Sequence, residues 1–384
     1  MLTYLYVRSC ASEGSRVYFA KVRGAPPTLI SSLRGTIVTK QSILIAIMVA
    51  LCASFAFAGD VVAPQGAARN VSVDDFMPHP SSVKEFNETW SYQFVFDNGT
   101  RAFINYSTLH IPGAGRKITC DMSFWNFKSK TYTVGRQYPP ERLKADKAKA
   151  SIDINDEYAM EHKPGKGHRV FFSADKGGKF LVDVTFESAE VGKVPGNGVW
   201  KIGKESFGQY VHIPYGRVVG KIAYNEDTIA VKGYAYMDQT WQTEQATDMA
   251  ARSINFSTSA RTPLFAGRVS ISKSGEPFGY ALYKDESGMK VASPKAIKEG
   301  SDNYNGKKFA TSDLTFEWQD ASIPALKFSV AKTLQKASLL DKVDGWFAKK
   351  AFKIAAGGEV LFYRGRSDAS HGKKLDWCIT GVKD

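Results

Sequence analysis

Residues 231–243, Val-Lys-Gly-Tyr-Ala-Tyr-Met-Asp-Gln-Thr-Trp-Gln-Thr, decide how the rest of the chain is read. Val231, Gly233, Ala235 and Met237 fall on one side of an extended segment, and Lys232, Tyr234 and Tyr236 on the other. That period-2 alternation belongs to a strand with two unlike faces. At Asp238-Gln239-Thr240-Trp241 the character changes, and a carboxylate, an amide, a hydroxyl and an indole follow one another. The expectation is that this cluster aims its polar groups and its ring at a single place, a cavity mouth or a seam between domains.

Working outward, the same alternation recurs. Trp90, Tyr92, Phe94 and Phe96 share a face, Asn98-Gly99 supplies the positive φ angles of a two-residue hairpin turn, and Ala102, Ile104 and Tyr106 continue the return strand. Segments 117–127, 130–138, 168–174, 179–188, 210–224 and 228–238 read as further strands with short turns between them. Pro139-Pro140 and the charged run after it open either a short helix or a loop. In the second half, 251–258, 265–272, 278–285, 289–293, 313–320, 324–333, 359–368 and 375–382 repeat the style. Short strands joined by short turns predict an all-β meander that closes into a barrel or packs as a sandwich. One stretch departs. Leu339, Val343, Trp346, Phe347, Lys350, Ala351 and Ile354 share a helical face, so an amphipathic helix is expected over 338–358, ended by Gly357-Gly358.

The N-terminus reads as a targeting segment. Lys40 precedes an apolar run over 42–58, and Ala56-Phe57-Ala58 is a small-residue cleavage signal before Gly59. The run is shorter than the ~20 residues of a spanning helix. A secreted or periplasmic protein cut after Ala58 is expected, with an uncleaved anchor as the alternative. Residues 59–73 read as a flexible leader. Beyond residue 58 the chain has 45 basic and 37 acidic residues, a net +8 scattered over predicted turns. A solvated surface explains this better than nucleic-acid binding, while weak attraction to anionic membranes stays open. Cys120 and Cys378 read as two small buried hydrophobes, or as a pair in an oxidising compartment.

Three segments together resemble a known group. They are Glu88-Thr89-Trp90-Ser91-Tyr92, then Ile213-Pro214-Tyr215-Gly216-Arg217-Val218-Val219-Gly220, then Gly233 through Trp241. Over roughly 85–245 the chain is similar to the lipocalin-like superfamily that contains hydroxyneurosporene synthase (the carotenoid hydratase), fungal survival factors and fungal cyclases of the Diels–Alder type. The resemblance implies two tandem lipocalin-like antiparallel β-barrels, divided here as 74–245 and 246–384, with the late helix packed outside. It also implies that the Asp–Trp motif faces the seam. Met237 and Gln239 stand where histidines often flank the family's Asp, Ala235 replaces a glycine, and Gln242 follows Trp241 in place of one. Water addition to an alkene needs a strong acid and gains from a base; here Asp238 remains and those imidazoles do not.

The candidate site follows. Asp238 is either a general acid or a hydrogen-bond acceptor that locks two barrels together. Trp90, Tyr92, Tyr236 and Trp241 line an apolar cavity or form plain core, and His212, Tyr215 and Gln239 sit beside them in sequence order. His162 and His168 bracket a Lys/Pro/Gly turn and are expected in solvent. No metal-ligand spacing, nucleophile elbow, phosphate loop or dinucleotide fingerprint occurs, so neither metal nor cofactor is expected. Three functions stay open: binding of a lipid, polyene or polyketide; hydratase, cyclase or isomerase chemistry on such a molecule with Asp238 as acid; or a structural or adhesion-associated envelope role with no small ligand.

Overall fold

The computed structural model describes residues 61–383 except 112–114, 164–166, 176, 301–312, 331–332, 339, 341–348, 351–352 and 354–357. The targeting segment lies outside the described residues, as does nearly all of the helix expected over 338–358. What is described is all-β apart from single helical turns.

The first half is one antiparallel sheet of thirteen strands. Its centre is the hairpin of Asn87–Phe96 and Arg101–Ile111, turned at Asn98-Gly99, where Gly99 has φ +84°. On one side follow Gly115–Phe127 and Lys130–Tyr138. On the other lie Asp227–Gln242, Glu205–Tyr224, Phe180–Ala189, Gly167–Ala174, Tyr158–Lys163, Ser151–Ile154 and Leu143–Asp146. Curling brings distant strands together: Tyr132 stacks on Tyr224 at 3.9 Å, and the hydroxyls of Tyr138 and Tyr158 are 3.1 Å apart. Trp90, Tyr92, Phe94, Phe124 and Phe172 fill the concave side, each burial contributing roughly 1.5–3 kcal/mol.

The second half repeats the plan. Seven strands run Gly288–Ala292, Pro277–Asp285, Leu264–Ser272, Ala250–Thr258, Lys374–Lys383, Glu359–Asp368 and Thr333–Ser338. A three-stranded sheet, Pro294–Glu299, Asp313–Trp318 and Leu326–Ser329, shares their core of Phe256, Phe265, Phe316 and Trp377. In each half the first long strand pairs with the last: Asn87–Phe96 with Asp227–Gln242, and Ala250–Thr258 with Lys374–Lys383.

Two expectations change. The leader expected over 59–73 is tied down, because Val61–Val62 pairs with Val199–Ile202 and Arg69–Asn70 with Lys193–Val194. It then enters a one-turn helix, Val73–Phe76, closed by a capping box between Ser72 and Asp75. After Pro139 the chain makes a single 3-10 turn, Pro140–Arg142, and continues as the strand Leu143–Asp146. Cys120 is buried, Cys378 partly so, and both are free thiols.

Candidate functional site

The strand Asp227–Gln242 alternates without a break to its end, and this sorts its residues. Ala235 and Met237 join the core of the first sheet, while Tyr236 joins a separate cluster with Leu264, Phe278 and Tyr280 of the second. Asp238 therefore faces the second sheet, whereas Gln239 and Trp241 face the first. The four consecutive residues expected to converge are divided between two surroundings.

On the inner side, Gln239 is fully buried. Its Nε2 donates to Glu88 Oε1 at 2.8 Å, and its Oε1 lies 2.9 Å from His212 Nε2. Glu88 is itself buried and takes His79 Nδ1 at 2.7 Å and the His79 backbone N–H. Burial pushes the Glu88 carboxyl up, against the opposing pull of His79 and Gln239. Trp241 packs against His79 at 5.3 Å and Phe86 at 6.2 Å. Gly208 makes room for this indole, since a Cβ there would sit 2.2 Å from it.

Behind this run lies a group of rings that the sequence did not announce. His162 and His168 are buried rather than in solvent, each only 3% exposed. They are direct register partners, with Nδ1 atoms 3.0 Å apart, and His168 Nε2 is 3.0 Å from the Tyr92 hydroxyl. His212 completes the group, its ring 4.9 Å from that of His162. A register shift between Val211 and Ile213 leaves His212 without a strand partner and turns it inward. Its carbonyl is taken by Gly192 N–H at 3.0 Å. Desolvation, reinforced for His162 and His168 by neighbouring imidazoles, holds both of those rings well below the usual histidine range and brings His212 down to about 4. Phe76 covers all three rings at 5.2, 6.3 and 5.8 Å, its carbonyl held by Trp90 Nε1–H at 3.0 Å.

On the outer side, Asp238 is fully buried. Arg268 of the second sheet reaches it with Nε to Oδ2 at 2.7 Å and Nη2 to Oδ1 at 3.2 Å, and Asn255 Nδ2 adds 3.2 Å to Oδ2. Asn255 also accepts from Gln93 and donates to the Tyr236 hydroxyl at 3.4 Å. A second inter-sheet cluster joins Asp376 to Arg101 at 2.9 Å and to the Tyr234 hydroxyl at 3.0 Å. Tyr215, half-buried, stacks on Tyr234 at 5.7 Å. The seam is thus fastened by charge pairs around an apolar patch.

Where the leader strand passes over that patch, a cleft of about 310 Å³ opens. Its walls include Val61, Pro64, Trp200, Phe278 and Pro294, with Glu276 and Lys295 as its charged groups. Glu276 Oε2 accepts the backbone N–H of Val61 at 3.0 Å. Among the described residues no set of three or more His, Cys, Asp or Glu side chains is arranged to hold a metal ion.

The two curled sheets have a lipocalin-like fold. The chain shares its fold with a Nitrosomonas europaea protein described as AttH, at a TM-score of 0.56 and 14% identity over 84% of this chain and 100% of that one. Kievitone hydratase from Nectria haematococca aligns with TM-score 0.47, 11% identity and coverage of 85% and 98%. CghA with Sch210972 aligns with 0.45, 12%, 78% and 89%. The likeness to the Nitrosomonas protein is one of fold, and the fold is the one the sequence resemblance implied. No family model and no curated protein matches the chain.

Proposed function

We propose that the protein, exported across a membrane and cut after Ala58, binds a hydrophobic small molecule of the lipid, polyene or polyketide type. The observation carrying this reading is the seam cleft of about 310 Å³ with Trp200 and Phe278 in its wall. That volume is at the lower end of small-molecule pockets, which run from about 300 to 1,000 Å³. It suits a small ligand or the end of a longer one. Burial at ~25 cal/mol per Å² gives micromolar affinity without any chemistry. The mild positive charge adds weak attraction to anionic membrane surfaces, from which such a ligand is drawn.

Native mass spectrometry of the purified protein tests this by revealing retained ligand. Titration with cis-parinaric acid, a fluorescent polyene, is expected to quench Trp200 and to lose affinity about tenfold in Trp200→Ala. Protein that carries nothing and leaves the probe unbound at ~100 µM defeats the reading.

A second reading, hydratase or cyclase action on the same class of molecule, is favoured by one observation: the buried, upshifted Glu88 in contact with His79 and Gln239. In that reading Glu88 is the proton donor and Asp238, held by Arg268 and Asn255, supports the seam. Glu88→Gln is then expected to abolish turnover of a bound polyene while leaving its binding intact. Turnover that persists in Glu88→Gln and stops in Asp238→Asn returns the acid role to Asp238.

A further inference from the structure

The hydrogen-bond directions inside the first sheet are fixed by chemistry. An amide nitrogen can only donate, so Gln239 Nε2 gives its proton to Glu88 and Gln239 Oε1 must accept. His212 therefore carries its proton on Nε2, and its Nδ1 is a bare lone pair. That atom is buried and has no hydrogen-bond partner among the described residues.

The neighbouring pair resolves by the same counting. If the Tyr92 hydroxyl donates to His168 Nε2, then His168 Nδ1–H donates to His162 Nδ1, and His162 keeps its proton on Nε2. The reverse order strands the Tyr92 proton as well, leaving one more buried group unsatisfied. In the favoured order His162 Nε2–H is a donor, and it too is buried with no partner among the described residues. An unmatched donor and an unmatched acceptor thus sit on adjacent rings whose centroids are 4.9 Å apart at 72°. No hydrogen bond joins the two atoms directly.

Leaving both unmatched in an apolar interior carries the full desolvation penalty of each, and such groups recur in folded proteins only with a reason. A group that accepts one hydrogen bond and donates another meets both needs. A hydroxyl does so with a single oxygen atom. A carboxylate lacks the donor, an ammonium lacks the acceptor, and an apolar group lacks both.

We propose that His212 Nδ1 and His162 Nε2 together hold one hydroxyl group under the ring of Phe76, either a water molecule or the hydroxyl of a bound alcohol. His212 is its acceptor and His162 its donor. The site is separate from the seam cleft and does not depend on what the cleft binds. It selects against molecules that present a carboxylate or an ammonium to these rings, because the imidazoles around it are neutral at physiological pH.

High-resolution diffraction from the mature chain, both as purified and after delipidation, tests this. The expected result is an oxygen at about 2.7–3.2 Å from both nitrogens. An isolated peak present in both preparations is water. A peak continuous with further density, lost on delipidation along with a mass shift, is a ligand hydroxyl. Absence of the oxygen, a direct His162–His212 hydrogen bond, or an anomalous metal peak at these nitrogens overturns the proposal. Solution spectra of ¹⁵N-histidine-labelled protein give an independent reading. His212 is expected as the Nε2–H form with Nδ1 hydrogen-bonded, and His162→Phe is expected to move its Nδ1 resonance toward an unbonded acceptor with its Nε2 unchanged, while His168 Nδ1, whose acceptor that variant removes, moves as well. A His212 that is Nδ1-protonated in the wild type also overturns the proposal.

Discussion

The two faces of the strand Asp227–Gln242 solve burial of polar groups in opposite ways. Toward the first sheet, Gln239 belongs to a run of neutral imidazoles with one upshifted acid, all within a shell of aromatic rings. Toward the second sheet, Asp238 meets a guanidinium directly, as Asp376 meets Arg101. The seam is fastened by charges that attract; the interior keeps its groups by leaving most of them uncharged. The contrast locates where chemistry is available, since a paired carboxylate has its acceptor sites committed and a bare imidazole nitrogen does not.

Acid distinguishes the two faces most sharply, and its effect is the largest expected. His162, His168 and His212 have folded pKa values below their unfolded ones. The unfolded chain therefore takes up protons first, and the stability that these rings contribute is complete above about pH 6.5. It falls as pH drops, for His212 until about 4. Each proton adds about 1.4 kcal/mol per pH unit to the slope. Glu88, whose folded pKa is raised, acts with the opposite sign and blunts the loss near its own titration. Urea midpoints between pH 7.5 and 4.5 should drop steeply in the wild type and less steeply in His162→Phe. A wild-type midpoint that is flat over that range would show that the histidines are not neutral in the fold.

At the seam the prediction concerns a stranded charge. Asp238→Ala leaves Arg268 largely buried without its partner and is expected to cost about 3–5 kcal/mol. Replacing both, Asp238→Leu with Arg268→Met, should recover most of that, because desolvating the pair already offsets much of its attraction. Chemical denaturation of the three variants gives the comparison. A double variant as unstable as the single one would mean that Asp238 acts chiefly through Asn255 and Tyr236.

Inside the first sheet, Phe76→Ala removes the ring that covers the three histidines. The expected cost is about 3 kcal/mol, the lower end for a buried phenylalanine, since the one-turn helix that carries it can settle inward. Exchange of the His168 and His212 ring protons should accelerate well beyond what global unfolding accounts for. Unchanged exchange would show that Phe76 is not the cover.

Much of this is readable in the residues, and the failures divide between a parity that the sequence does carry and tertiary pairing that it does not. The alternation at Val231–Met237 and the hairpin around Asn98-Gly99 are local properties and appear, although the turn is longer than the two residues expected: the strands stop at Phe96 and resume at Arg101, and of the pair only Gly99 has a positive φ. Convergence of Asp238, Gln239 and Trp241 was a mistake of parity: a strand that stays extended to Gln242 sends neighbours apart. His162 and His168 were obscured by the polar turn between them. Parity would have found them, for Tyr158, Met160, His162, His168, Val170 and Phe172 are all even-numbered and all buried. Arg268 and Asn255 gave no such signal. Each sits in an ordinary alternating strand, and only tertiary pairing brings it to Asp238. The inward turn of His212 depends on a register shift that no local pattern announces.

The smallest expected effect bears most directly on the interior's internal order. Tyr92→Phe keeps the ring, its stacking on Phe94 at 6.0 Å and its volume, and deletes only the hydroxyl 3.0 Å from His168 Nε2. If that hydroxyl is the donor, its loss leaves a buried acceptor unsatisfied and costs about 1–2 kcal/mol. His168 then gains by moving its proton to Nε2 only if His162 reverses as well, which would turn His162 Nε2 from a donor into an acceptor. The ¹⁵N spectrum reports this directly: His162 and His168 should either keep their forms at reduced stability or switch together. A switch of one ring without the other, or a variant as stable as the wild type with both forms unchanged, would mean that Tyr92 does not donate and that the chain of directions from Tyr92 to His162 starts elsewhere.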